Sequence, residues 1–136
     1  MEASHPILCI DYGAARVGLA ATDDLAISVH PVETIPAEIA VDEVVRIVEE
    51  RKVKTLLLGL PLRLDGSEGD SAKKVRAFGD RLAKALPDLP LLFHDEAFST
   101  VSAAEKLRSA GKKAKSQKGI IDQAAAMEIL RNYLGW

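Results

Sequence analysis

Short unbroken apolar runs alternate with longer amphipathic stretches along this chain, and their lengths separate strands from helices. Ile7–Asp11 is apolar up to its closing acid, which predicts a short strand buried on both faces. Gly13 and Gly18 bracket a turn, Val17–Ala21 reads as a second strand, and the spacing suits a hairpin. Val29–Ile35 is a weaker third strand, and Pro31 inside it favours an edge or a bulge. From Pro36 to Arg51 the pattern turns helical, with Ile39, Val44, Ile47 and Val48 on one face. Thr55–Gly59 is again apolar without alternation, as in a covered parallel strand.

Pro61, Asp65-Gly66 and Gly69 then mark a loop over Leu60–Gly69. Ser71 is placed to cap a helix reaching Leu86, with Val75, Phe78, Leu82 and Leu86 as its buried stripe, and Pro87 and Pro90 stop it. Leu91–Asp95 predicts the next strand, and Ser99 or Thr100 caps a helix to Ala110. Gly111–Lys118 reads as a polar, basic connection before a last helix over Ile120–Tyr133. The order β-β-β-α-β-α-β-α-α predicts an α/β fold: a mixed sheet with helices on both faces.

Composition narrows the class. The 136 residues suit one domain, residues 1–136, and 48% hydrophobic with 28% charged content is ordinary for a soluble globular chain. The lone Cys9 sits mid-strand and reads as a small core residue that cannot form an internal disulfide. No apolar run reaches the ~20 residues of a membrane span, and Met1–His5 lacks the start of a signal peptide, so a cytoplasmic protein with no membrane partner is expected.

The net charge of −2 does not advertise nucleic-acid binding, but its distribution is uneven. Residues 1–50 carry two basic side chains against ten acids, and residues 51–136 sixteen against ten. Lys106, Arg108, Lys112, Lys113, Lys115 and Lys118 follow one another with no acid between. Such a stretch holds phosphates, or is a solvated loop whose lysines serve solubility.

The candidate chemistry lies in acids at matching structural places. Asp11 closes the first strand, Asp95 and Glu96 close the last, and Asp122 opens the final helical pattern. Parallel strands put their C-terminal ends on one edge, where α/β proteins build sites. Carboxylates held together need a positive charge between them, and Mg²⁺ or Mn²⁺ prefers such ligands. The arrangement points to metal-assisted attack on a phosphodiester. Strand alternation keeps Asp95 and Glu96 from both facing one metal. Each acid also has a plainer reading. Asp122 suits a helix N-terminus, Asp95 starts a turn, and Arg16 is available to Asp11 as a structural ion pair.

Four segments, in order, carry a family resemblance. Asp11-Tyr12-Gly13-Ala14-Ala15-Arg16-Val17-Gly18 resembles the Asp-x-Gly-x-x-Arg-x-Gly opening of the YqgF family, described as pre-16S rRNA nucleases or Holliday-junction-resolvase-like proteins. Gly59-Leu60-Pro61 with Asp65-Gly66 resembles its Gly-x-Pro loop. Asp95-Glu96-Ala97-Phe98-Ser99-Thr100 resembles its Asp-Glu-Arg-x-Ser/Thr-Thr motif, and Lys118 through Ala126 its closing motif. The resemblance implies an RNase H-like fold with a five-stranded mixed sheet. It also implies a divalent-metal nuclease site in which Asp11, the Asp95-Glu96 pair and Asp122 are the catalytic acids, with Glu96 favoured over Asp95 as metal ligand beside Asp11 and Asp122. Ala97 departs from the family, which has arginine there. Arg16, Arg63 or the loop bearing Lys112, Lys113, Lys115 and Lys118 is expected to grip the nucleic-acid backbone instead.

The activity that the resemblance implies is Mg²⁺- or Mn²⁺-dependent hydrolysis of structured RNA, at the 5′ end of pre-16S rRNA, by a monomer or homodimer. Junction DNA cut by a symmetric dimer is the alternative within the same chemistry. A nucleotide-binding regulator and a non-catalytic adaptor in ribosome assembly are the readings outside it. The few aromatics, Tyr12, Tyr133, Trp136 and three Phe, offer little for base stacking, so recognition by backbone and shape is expected.

Overall fold

The computed structural model describes residues 3–96 and 114–136, apart from the side chains of Glu96 and of residues 114–121. Five strands form one mixed sheet: β1 (Ile7–Tyr12), β2 (Arg16–Thr22), β3 (Val29–Pro36), β4 (Thr55–Pro61) and β5 (Leu91–Glu96). Their order is β3-β2-β1-β4-β5, antiparallel from β3 to β1 and parallel from β1 to β5. Among the described residues three α-helices cover it: α1 (Ala40–Arg51), α2 (Asp70–Ala85) and α3 (Ala114–Leu134). The helix expected between Ser99 and Ala110 lies outside the described residues.

The central strands are apolar on both faces because both faces are covered. Leu8 and Ile10 of β1, with Leu56, Leu58 and Leu60 of β4, pack with Val44 and Ile47 of α1 and Val75, Phe78 and Leu82 of α2. The alternate positions Ile7, Cys9 and Leu57 pack with Ile129 and Leu130 of α3. Phe78 is fully buried, and its ring stacks on Tyr12 at a centroid distance of 4.5 Å. Both readings of Pro31 hold. It lies on the edge strand, opposite Ala20, where the β2–β3 register slips between Leu19 and Ala20.

Two helix starts differ from expectation. Gly69, not Ser71, is the N-cap of α2, and no side chain caps it. The acid in its first turn, Asp70, still complements the helix dipole. Helix α3 begins at Ala114, so residues 114–118 of the expected basic connection are helical. Alanine, lysine and glutamine are good helix formers even where no apolar stripe announces a helix. Among the described residues, no helix is long and apolar enough to cross a membrane.

Candidate active site

Asp11 lies inside β1, half-buried, directly opposite Gly18 of β2. Opposed residues of an antiparallel pair project to the same face, here the face covered by α3. Gly18 is the point of closest approach. A Cβ built there would overlap the Asp122 carbonyl group and come within 2.9 Å of the Asp122 Cβ. Glycine inside a strand commonly marks such a backbone contact. A helical acid from the end of the chain is thereby seated over the strand that pairs with Asp11.

Arg16 fixes that acid. Its Nε donates to Asp122 Oδ2 at 2.7 Å, linking the start of β2 to α3. The sequence reading offered Arg16 to Asp11 and did not name this bridge to Asp122. Asp122 is also not at a helix start. It follows Ala114 by eight positions, two turns into α3, so the helix dipole does not explain it.

The register separates the two acids of β5. Asp95 pairs with Leu60, a residue of the core beneath α1 and α2, so its side chain is on the face opposite Asp11. There Asp95 adds to the field that holds the Arg76 guanidinium above the ordinary arginine range, an effect due first to Glu68. Position 96 pairs with Pro61 and by alternation belongs to the Asp11 face. Among the described residues, no three His, Cys, Asp or Glu side chains converge as a metal site.

Of the expected phosphate-binding residues, Arg63 is exposed on the loop after β4, on the same sheet edge as Asp11. Its guanidinium lies across Gly69, and both line a cleft of about 240 Å³ with Pro61 and Ser71. Arg16 is committed to Asp122. Lys112 and Lys113 lie outside the described residues, and Lys115 and Lys118 belong to the first turns of α3. His94, on the Asp11 face, packs edge-on against Tyr133 at 5.8 Å, a structural contact. The residue whose part the sequence reading missed is Gly18. Its signal was present as a glycine in the middle of a strand pattern.

The family model described as RuvX, Holliday junction resolvase, matches residues 5–135. The chain belongs to the RuvX family. The resemblance to YqgF pointed to this same family. Among curated relatives, a protein of Cutibacterium acnes named "Putative pre-16S rRNA nuclease" is 42% identical over 128 residues, 93% of this chain and 80% of that protein. One of the same name from Phocaeicola vulgatus is 34% identical over 130 residues, 94% of each chain. Among solved structures, T. thermophilus RuvC in complex with a Holliday junction substrate matches with a TM-score of 0.55 and 15% identity, covering 95% of both chains. At that identity the likeness establishes the fold. This RuvX-family chain shares the RuvC-like, RNase H-like α/β architecture, as expected.

Proposed function

We propose that this protein is a divalent-metal-dependent nuclease that hydrolyses phosphodiester bonds in structured RNA, at the 5′ end of pre-16S rRNA. One observation carries the reading. Two carboxylates 111 positions apart, Asp11 and Asp122, are gathered on one face at the C-terminal edge of the parallel strands by the contact of α3 with Gly18. The names of the family's curated members supply the substrate.

The donor set fits a hard cation. Asp11 and Asp122 offer only carboxylate oxygens, and the pairing of position 96 with Pro61 supports Glu96 as a third donor. These three residues would hold Mg²⁺ or Mn²⁺, which when bound supplies charge neutralisation and an activated water at neutral pH. The chain's own residues do the rest. Asp11 is presented from a rigid central strand. Arg16 occupies one oxygen of Asp122 and so fixes which way that carboxylate turns. Arg63, exposed on the loop at the same edge, would hold a backbone phosphate, and Lys112, Lys113, Lys115 and Lys118 precede Asp122 in sequence as further candidates.

The test is cleavage of structured RNA and four-way junction DNA side by side, with Mn²⁺, Mg²⁺ or EDTA, by wild type and Asp11→Asn. Metal-dependent RNA cleavage lost in Asp11→Asn supports the reading, and unchanged cleavage by a pure, folded Asp11→Asn protein sinks it. A second reading, junction DNA as substrate, is favoured by the family description. It requires two sites in a symmetric dimer, so a protein that stays monomeric with junction DNA excludes it.

A further inference from the structure

Two concavities meet at His5, at the end of the sheet opposite Asp11. The first, about 450 Å³, forms where α1 turns into β4 and β2 ends. Its cations come from one corner. Arg51 ends α1, Lys52 is the left-handed cap with φ 55°, and Lys54 leads into β4. Buried Val53 between them and the Lys54 N–H, which donates to the Pro6 carbonyl at 2.9 Å, fix the backbone of that corner. All three cations are exposed, and none forms an ion pair among the described residues. Of the two acids in the lining, Asp23 is occupied by its own turn: its Oδ1 accepts the Ile27 and Ser28 amides at 2.7 and 3.0 Å. Three cations thus share the lining with two carboxylates, Asp23 and Asp24, and outnumber them.

The second concavity, about 460 Å³, contains Tyr133 and Trp136. Trp136 is 52% exposed, and its backbone N–H donates to the Arg131 carbonyl at 2.9 Å, folding the residue back onto the end of α3. The sequence reading counted too few aromatics for a stacking platform. The structure brings two of them to one place, while Tyr12 is spent in the core against Phe78.

Exposed cations in one concavity and an exposed aromatic ring in the next, the two sharing His5, match what a nucleotide strand presents, since phosphates seek the charges and any base can stack on the ring. We propose that this paired concavity binds a single-stranded segment of the nucleic-acid substrate, with a base on Trp136 and phosphates against Arg51, Lys52 and Lys54. The identity of the strand rests on the nuclease reading. A free nucleotide offers the same chemistry and is the other source to be distinguished.

Trp136 is the chain's one tryptophan, so its fluorescence reports on this place alone. The full-length protein in EDTA is titrated with a short oligoadenylate, with 5′-AMP and with inorganic phosphate. The expected result is saturable quenching by the oligoadenylate at lower concentration than by AMP, and no quenching by phosphate. The Arg51→Ala/Lys54→Ala variant, altered only at exposed side chains, should bind the oligoadenylate about tenfold more weakly. Its log-affinity against log-salt slope should fall by about 1.4, or ~0.7 for each lost phosphate contact. Absence of saturable quenching, or quenching indifferent to that variant, overturns the proposal. Binding of AMP as tight as that of the oligoadenylate overturns the strand assignment in favour of a free nucleotide. Metal-dependent cleavage of structured RNA by the same preparation is scored separately, so a failed exosite and a failed nuclease reading give different results.

Discussion

The Arg16 guanidinium and the Asp122 carboxylate are joined at 2.7 Å across 106 positions of sequence. The bridge ties the hairpin that carries Asp11 to the helix laid over it. The Arg16 side chain is 42% exposed and that of Asp122 19%, so solvent screens the pair and its direct worth to stability is under about 1 kcal/mol. On the proposed nuclease reading its worth to the site is larger, because the bridge limits which way the Asp122 carboxylate can turn. Arg16→Ala should therefore lower nuclease activity by about 10- to 100-fold while shifting the melting temperature little. Raised Mn²⁺ should recover part of the loss, since the defect lies in holding the cation. A loss of the same size at saturating Mn²⁺ would instead place Arg16 on the substrate phosphate.

Gly18 makes that bridge possible, and the space for any side chain there is already filled by the backbone of α3. Gly18→Ala should destabilise the fold by about 1–3 kcal/mol through overpacking. Because the displaced element is the segment carrying Asp122, activity should fall further than stability requires. Gly79→Ala is the control. Its Cβ would come within 2.9 Å of the Phe93 ring on the other face of the sheet, so thermal unfolding should shift without a selective loss of cleavage. Equal activity per folded molecule in the two variants would remove the special place of Gly18.

The mixed sheet and its parallel edge were legible because β1 and β4 carry unbroken apolar runs, Ile7–Ile10 and Leu56–Leu58, as doubly covered strands do. Alternation separated Asp95 from Glu96 without ranking them, the preference for Glu96 came with the family resemblance, and the register pairs Asp95 with Leu60. The start of α3 was not legible. Ala114-Lys115-Ser116-Gln117-Lys118 has no apolar stripe, and periodicity outweighed helix propensity in reading it as a connection. That misplacement made Asp122 look like a helix-terminal acid. The Arg16–Asp122 bridge was beyond sequence reading for a different reason. An arginine accepts any nearby carboxylate, and only the three-dimensional path of α3 selects this one.

Acid stability should carry the mark of one surface turn. The Ser28 amide, and after it the Ile27 amide, hold the Asp23 carboxyl below its ordinary value of 3.8. A carboxylate with a lowered folded-state pKa leaves the unfolded chain binding more protons, so its stabilisation is complete above the ordinary value and is lost as pH falls through the lowered one. Asp23→Asn should therefore be less stable than wild type near neutral pH, with the gap closing below about pH 4. Urea midpoints of the two proteins across that range measure it. A gap independent of pH would mean that the amide contacts act without the charge.

The sharpest discrimination concerns two neighbours on β5. Asp95 is exposed on the α2 face, where Arg76 lies over the Phe93 ring at 5.1 Å and senses the Asp95 charge. Position 96, opposite Pro61, belongs to the face of Asp11 and Asp122. Asp95→Asn should leave metal-dependent cleavage within about twofold of wild type, as expected for an exposed residue outside the site. Glu96→Gln should lose more than about 100-fold, exceeding what an outer-shell partner costs, and should match Asp11→Asn. Binding of RNA in EDTA should be retained by Glu96→Gln, which separates a lost ligand from a lost fold. If Asp95→Asn is the inactive variant and Glu96→Gln the active one, the β4–β5 register cannot be the one that positions the catalytic acids, and the cation must be held from the α2 face of the sheet.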